Sequence, residues 1–443
     1  MSLNLNNISR QDQSALLQSL KWIKENSPIS EDGSRKLFFG IQYFLLKEII
    51  TRYTTCTSIP EGIHRRAISL AMQKWLINSV TDEDDALLSA FLRVLELEIN
   101  QLKTDQQVFN VLMFLNVGEN IHDLEPISIL GDKLIIKTWN DLSTFRTEEL
   151  WKEISLNYPS NPIFAFLGNK QRPRTWVFSP ILLTAKSYVA EDAKSIAEDR
   201  FDILRAILNL SGLRESVTFY RSEPKQYSIF LPTPVLGLFD MKGNLVAPFR
   251  AVDKLDPDDY KKSPLKDTWL SSARRMLPLF EQEVKSSSIE HHILGVLRLY
   301  QQAIDLSSTE SAFLGMWQVL ESAVTFGSEN ISNQEIASRV CELVGLDPLF
   351  RNGLKLFTEM RNDYVHNGNF VQEGDDLLPT LKLIAENCII RLISLVADFH
   401  TSQELRVYLQ YYPLGDNELS RTMNVIAAIQ KTRAAKSGYK PAG

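Results

Sequence analysis

Apolar residues recur at helical spacing through the first part of the chain. Leu16, Leu20 and Ile23 lie three or four residues apart, which places their side chains on one face of a helix. Similar stripes follow, and a last apolar segment ends at Val117. We therefore predict a helical N-terminal region over residues 1–118. Its later apolar segments are 37–50, 68–80, 87–102 and 108–117.

The pattern changes to short β-rich runs between residues 119 and 253. Turn-forming pairs such as Gly131–Asp132 and Gly243–Asn244 separate these runs, as is typical between strands. One helical stripe through Phe201 interrupts them and stops at Ser211–Gly212. This stretch is predicted to be an α+β domain. Its β-rich runs are Leu134–Trp139, Ile163–Leu167, Trp176–Leu183, Val217–Tyr220 and Tyr227–Leu231.

The last third of the chain is predicted to be helical. Residues 254–287 are polar, which is typical of a connector, here with one helix. Five amphipathic helices with short links follow over residues 288–400 and predict an all-α bundle. Residues 401–443 are predicted to be a tail whose basic end, from Lys431, is disordered. The fold class is thus multidomain α+β, with a helical N-terminal region, an α+β middle domain and a C-terminal helical bundle.

Local end signals mark the helices of the bundle. Ser307 with Glu310, and Ser332 with Glu335, have the spacing of a capping box at a helix start. Gly345 lies where it would end the second of these helices, and Pro348 lies where it would begin the next one. These signals predict where individual helices begin.

The composition indicates a globular protein of the cytoplasm. The 443 residues carry a formal charge of -6, which excludes a strongly basic nucleic-acid binder but not a local binding site. Cys56, Cys341 and Cys388 lack metal-ligand spacing and are interpreted as free thiols. The N-terminus lacks a signal-peptide pattern, and no apolar stretch is long enough to span a bilayer. We expect a soluble protein without membrane attachment, metal or cofactor.

The helix that follows Pro348 carries the candidate chemistry. Its apolar stripe would include Arg361, and a core-facing guanidinium is costly unless it is paired or faces a cavity. His366 lies in the last turn, where the helix dipole favours positive charge, and Asn362 lies four residues before it on the same face. An arginine, an amide and an imidazole can clamp a phosphate, orient it and transfer a proton. The apolar stripe is Phe350, Leu354, Phe357 and Tyr364.

The sequence Arg361-Asn362-(three residues)-His366 resembles the Rx4–6H motif of the HEPN superfamily. The resemblance covers residues 288–400, where the order of four segments is similar to the helices of Apea-like HEPN domains. It implies metal-independent RNA cleavage that leaves a 2′,3′-cyclic phosphate, in a homodimer whose paired bundles form a composite cleft. The four segments are RLYQQAID, AFLGMWQVLESAV, EIASRV and LKLFTEMRNDYVHNG.

The resemblance also implies roles for individual residues. Arg361 would stabilise the phosphorane-like charge, His366 would serve as base or acid, and Asn362 would hold the histidine or a phosphate oxygen. Glu321, on the second helix of the bundle, would orient Arg361. Two further residues of the motif, Asp363 and Tyr364, are expected to support the site.

Other interpretations of these residues stay open. Arg361 could be a structural residue paired with Glu321, and His366 could be a helix cap. The protein could then be a non-catalytic HEPN adaptor for dimerisation or RNA binding, or a regulatory sensor whose main ligand binds the α+β region. In the ribonuclease, the N-terminal two-thirds of the chain would sense a trigger ligand or protein or hold the HEPN domain inactive. By analogy with the family, an active ribonuclease would be a defence or toxin effector regulated by those N-terminal regions.

The predicted bundle is acidic, which limits how it can bind RNA. Residues 286–400 contain seven Lys/Arg against fifteen Asp/Glu, a net charge of -8. Because phosphate contact needs positive charge, either the dimer cleft is a small basic island or another segment delivers the RNA. The basic candidates are Lys170 with Arg172 and Arg174, Lys261–Lys262, Arg274–Arg275 and the tail from Lys431 to Lys440.

Overall fold

The structure is a computed structural model of the 443-residue chain. The residues that it describes are 10–26, 48, 61–78, 84–102, 106–117, 119–125, 127–137, 140–150, 152, 179–212, 228, 230, 235–250, 267–284, 287, 289–306, 308–325, 331–345, 348–368, 374–399, 401–411 and 416–437. No helix in these ranges is both long enough and apolar enough to cross a membrane.

Three N-terminal helices have a hydrophobic core of their own. They bury the predicted stripe of Leu16, Leu20 and Ile23. Trp75 packs edge-on against Phe91, with ring centroids 5.8 Å apart. The helical prediction is therefore confirmed for these three elements, whereas the segment 37–50 lies outside the described residues except for Glu48. The helices are α1 (Arg10–Asn26), α2 (Glu61–Asn78) and α3 (Asp84–Leu102).

A six-stranded antiparallel sheet forms the middle of the chain. Its strands are β1 (Gln107–Leu115), β2 (Ile127–Ile129), β3 (Asp132–Ile136), β4 (Ser179–Ser187), β5 (Val235–Phe239) and β6 (Leu245–Arg250). The strand order is β2-β3-β4-β1-β5-β6. The segment 108–117, predicted within the helical region, is therefore wrongly assigned, because β1 is a central strand. Such a strand is buried along most of its length, so it lacks the alternation that identifies a half-exposed strand.

Two of the predicted turns join strands of the sheet. Leu130 and Gly131 have φ values of 55° and 83°, which is the conformation of a two-residue hairpin turn between β2 and β3. Gly243 has a φ of 79°, and a Cβ there would lie 2.2 Å from the carbonyl oxygen of Thr144, so the β5–β6 turn requires glycine. The predicted runs 163–167 and 217–220 lie outside the described residues. The predicted run Tyr227–Leu231 is described only at Ser228 and Phe230, and neither residue is in a strand.

The predicted central helix, connector helix and bundle are all present. Ser332 accepts a hydrogen bond from the Glu335 N–H at 3.2 Å, as predicted for a cap. The other predicted cap is wrong by one residue, since the N-cap is Ser308. The helices are α4 (Ala190–Ser211), α5 (Asp267–Leu279, continued by a π-helical turn Phe280–Val284), α6 (Glu290–Asp305), α7 (Thr309–Val324), α8 (Asn333–Val344), α9 (Pro348–Asn367) and α10 (Gly374–Ser394).

The chain beyond residue 400 is more ordered than predicted. Helix α11 (Ser402–Tyr411) packs Leu405 and Leu409 into the core, and α12 (Asp416–Ser437) follows. The expected disordered end from Lys431 is thus helical as far as Ser437. Its residues are strong helix formers, so the composition that resembled a disordered tail also suits a helix.

The sheet and the bundle share one hydrophobic core. Helix α4 lies between them, and its buried Arg205 donates hydrogen bonds to Asp305 of α6 at 2.6 Å and to the Phe230 carbonyl at 2.8 Å. Arg298 of α6 pairs with Asp199 of α4. The predicted connector 254–287 also contributes to the core, through α5. The regions predicted as 119–253, 254–287 and 288–400 are therefore packed together.

Candidate functional site

The core-facing stripe of α9 passes beside Arg361 and does not include it. Leu354, Phe357 and Met360 are buried, whereas Arg361 is half-buried. The prediction that Arg361 lies within the stripe is therefore wrong. Met360 takes the core position that the spacing from Phe357 allows, and the arginine next to it lies at the edge of the packed face.

A chain of hydrogen bonds holds Arg361 against Asn362. The guanidinium donates from Nη1 to Oδ1 of Asn362 at 3.2 Å, and Asn333 of α8 donates to the same oxygen at 2.7 Å. Both of these bonds end on Oδ1 of Asn362. The Nδ2 group of the same amide has no partner among the described residues, so it can donate to a ligand. Asn333 is a site residue that the sequence did not indicate, since it lies 29 positions away.

Arg361 forms no ion pair with any described residue, Glu321 included. Glu321 is half-buried, and its backbone carbonyl accepts a hydrogen bond from Thr325. Other cations of the bundle do have carboxylate partners, namely Arg298 with Asp199, Arg339 with Glu335 and Lys382 with Glu386. Arg361 thus keeps its charge available for an anion in a bundle whose sequence is strongly acidic.

His366 is exposed in the last turn of α9. The helix ends at Gly368, which has a φ of 69° and donates its N–H to the Tyr364 carbonyl at 2.9 Å. Asp363 accepts from the Asn367 side chain at 2.6 Å. Tyr364 and Asp363 therefore take part in the end of the helix that presents the histidine.

A groove of about 470 Å³ runs between α8 and α9. On α9, the groove residues Lys355 and Glu359 lie seven and three positions before Asn362, and His366 lies four after it. Spacings of three and four place all four residues on one helix face, which is about 16 Å long at 1.5 Å per residue. The groove and the candidate motif therefore share a face of α9. The groove is lined by Gln334, Ala337, Ser338, Cys341, Lys355, Thr358 and Glu359.

A buried charged group in the core of the bundle was not indicated by the sequence. The ammonium group of Lys382 and the hydroxyl of Tyr300 both donate to Oε1 of Glu386, the latter at 2.5 Å. All three side chains are buried. The other carboxylate oxygen, Oε2, has no hydrogen-bond partner among the described residues. This group is a structural feature of the core and lies on helices other than α9.

Few of the predicted basic segments can be placed beside the site. Arg274 lies on α5 and donates to the Asp123 carbonyl at 3.0 Å. The segments around Lys170 and Lys261 lie outside the described residues. In the described part of the chain, no group of three or more His, Cys, Asp or Glu side chains is arranged to hold a metal ion.

The chain was compared with models of protein families, with curated proteins and with solved structures. None of the three comparisons returns a match.

Proposed function

We propose that the protein is a metal-independent endoribonuclease of the HEPN type that acts as a homodimer. The observation that carries this proposal is the state of Arg361. It is a half-buried guanidinium with no carboxylate partner among the described residues, hydrogen-bonded to Asn362 and five positions from an exposed histidine. An arginine with a purely structural role would instead be expected to pair with a nearby carboxylate such as Glu321.

The proposed reaction is an internal transesterification of RNA. The 2′-oxygen forms a bond to the adjacent phosphorus as the bond from phosphorus to the 5′-oxygen breaks. His366 takes the proton of the 2′-hydroxyl, and the imidazolium of a second copy gives a proton to the departing 5′-oxygen. Arg361 and the amide of Asn362 stabilise the negative charge that develops on the phosphate oxygens. The products are a 2′,3′-cyclic phosphate and a 5′-hydroxyl.

The groove between α8 and α9 gives the RNA a path to this site. On α9 the groove is lined by Lys355, Thr358 and Glu359, and Asn362 and His366 continue the same helix face beyond it. Lys355, like Arg361, forms no ion pair with a described residue. These two cations of α9 offer positive charge to a phosphodiester backbone in an otherwise acidic bundle, whereas Glu359 places a negative charge beside Lys355 in the groove.

The test is cleavage of end-labelled RNA by the full chain in the presence of EDTA. Loss of the proton-transfer group in His366→Ala should lower the rate by about 10²–10⁴-fold. Loss of charge stabilisation in Arg361→Ala should lower it by about 10²–10³-fold. Two exposed residues of the same bundle provide matched controls, since His291→Ala and Arg391→Ala should cleave like the unmodified protein.

Each other outcome has a defined meaning. Equal rates in the His366 and His291 variants would overturn the proposed role of the motif. RNA that is bound but not cut by the unmodified protein would favour the non-catalytic adaptor. Circular dichroism and sedimentation of every variant must show that it is folded and has the same oligomeric state, because only then does a lost rate report on chemistry.

A further inference from the structure

One end of the groove between α8 and α9 adjoins the candidate motif. Asn333, the first residue of α8, donates to Asn362 near the end of α9, whereas a short link joins the opposite ends of the two helices. The helices are therefore antiparallel, and this hydrogen bond lies at the end of the groove that is far from the link. The groove residue Gln334 follows Asn333 directly, and Glu359 lies three positions before Asn362. A ligand in the groove would thus lie close to Arg361.

The groove combines a buried apolar floor with a polar rim. Ala337 and Cys341 line it and are buried. Four exposed polar side chains form the rim, and none of them has a hydrogen-bond or ion-pair partner among the described residues. The volume of about 470 Å³ is within the range of about 300–1,000 Å³ of ordinary ligand sites. The groove therefore suits a flat ring with polar edges. The rim residues are Gln334, Ser338, Lys355 and Glu359.

The carboxylate of Glu359 distinguishes between the two parts of RNA that could enter the groove. It repels a phosphate, because the two groups have the same charge. It can only accept hydrogen bonds, and its two oxygens can accept from two neighbouring N–H groups. Lys355 lies four positions before it on the same helix face and can only donate. The pair therefore matches the edge of a base that carries two adjacent donors and one acceptor.

Guanine is the RNA base with this arrangement. Its Watson–Crick edge carries the N1–H and the N2 amino group side by side, and the O6 acceptor is next to them. The same edges of adenine, cytosine and uracil have no two adjacent donors, so each would leave one oxygen of a carboxylate without a partner. Unpaired bases of single-stranded RNA are recognised through this edge.

We propose that the groove between α8 and α9 binds the guanine base of a nucleotide that flanks the cleaved linkage. Glu359 accepts from N1 and N2 of the base, Lys355 donates to O6, and the apolar floor contacts the ring. The choice of RNA as the ligand rests on the proposed function. Glu359 and Asn362 are about 4.5 Å apart along the helix at 1.5 Å per residue, so the base in the groove and the phosphate at the motif can belong to one nucleotide.

The first experiment measures base preference without cleavage. Two fluorescent 2′-O-methyl uridine oligomers, one with a single guanosine and one with a single adenosine, are titrated with the full chain and followed by anisotropy. The guanosine oligomer should bind at least about tenfold more tightly, because a bidentate base contact gives discrimination of that size. Added salt should weaken both complexes and leave their ratio unchanged, since the strong salt dependence belongs to the phosphate contacts.

Three variants test whether the groove is the source of this preference. Glu359→Gln should remove it, because the amide replaces one acceptor by a donor. Ser338→Phe should also remove it, since its ring would fill the groove from α8. Glu283→Gln is the matched control and should keep the preference, because Glu283 is exposed and does not line the groove. Circular dichroism of each variant checks that it is folded.

The second experiment maps the cuts that the full chain makes in an RNA of mixed sequence. The unmodified protein should cut beside guanosine, on the same side at each site, and Glu359→Gln should lose this selectivity. Cyclic-phosphate cleavage without a base preference, or a guanosine preference that Glu359→Gln retains, would overturn the guanine site and leave the proposed cleavage intact. A protein that prefers the guanosine oligomer through Glu359 but cuts no RNA would support the guanine site and overturn the proposed cleavage.

Discussion

Replacing Lys382 by methionine removes the counter-ion of Glu386. The fully buried carboxylate then keeps the Tyr300 hydroxyl as its one hydrogen-bond donor among the described residues. Glu386 is 0% exposed and Lys382 is 4% exposed. Removing one partner of such a pair costs about 3–5 kcal/mol, because the remaining charge stays desolvated without compensation. Domain stabilities are about 5–15 kcal/mol, so this loss is a large part of the total.

Urea denaturation followed by circular dichroism and tryptophan fluorescence measures this loss. Lys355→Met is the matched control, since Lys355 is exposed, and it should change the free energy of unfolding by less than about 0.5 kcal/mol. Removing the whole polar group in the triple variant with Tyr300→Phe and Glu386→Leu should recover most of the loss. If the free energy of unfolding of Lys382→Met is within about 1 kcal/mol of that of the unmodified protein, the conclusion that the ion pair is desolvated in the core is refuted.

Two further predictions concern the packing of the bundle. Gly315→Ala should destabilise the protein by about 1–3 kcal/mol, because its Cβ would lie 2.8 Å from that of Ala303. Gly295→Ala, whose Cβ would have no atom within 4 Å, should stabilise the protein by about 0.5–1 kcal/mol. The free energy of unfolding of each variant tests this, and changes of the same sign in both would contradict the packing. Burial raises the pKa of the Cys388 thiol to about 12, so it should not react with a thiol reagent at pH 8 until the protein is unfolded, and rapid reaction of the native protein would show that the thiol is accessible.

Local signals in the sequence were enough to predict most of the bundle. The pairing of Ser332 with Glu335 and the left-handed Gly345 depend only on neighbouring residues, and the structure has both. The prediction for strand β1 was wrong because local signals do not identify it. Its run of apolar residues has no clear period, so only its pairing with β4 and β5, far along the chain, shows that it is a strand.

Tertiary contacts could not be predicted in this way. Lys382 and Glu386 are four residues apart and resemble an ordinary surface ion pair of a helix. They are buried because α10 packs against other helices of the bundle, among them α6, which supplies Tyr300. The bond from Arg205 to Asp305 crosses 100 positions and joins regions whose composition had suggested separate domains. At the candidate site, the motif on α9 was visible in the sequence, but Asn333 and the groove depend on how α8 packs beside it.

The most direct test of the proposed function is cleavage of an RNA in which the 2′-hydroxyl at the preferred linkage has been replaced by hydrogen. In EDTA, the unmodified protein should cut the all-ribose RNA and leave a 2′,3′-cyclic phosphate, and it should leave the deoxy linkage intact, because the proposed nucleophile is absent. Cleavage at the deoxy linkage, or a 3′-hydroxyl product, would show that water attacks the phosphate. Either result would contradict the chemistry assigned to Arg361 and His366.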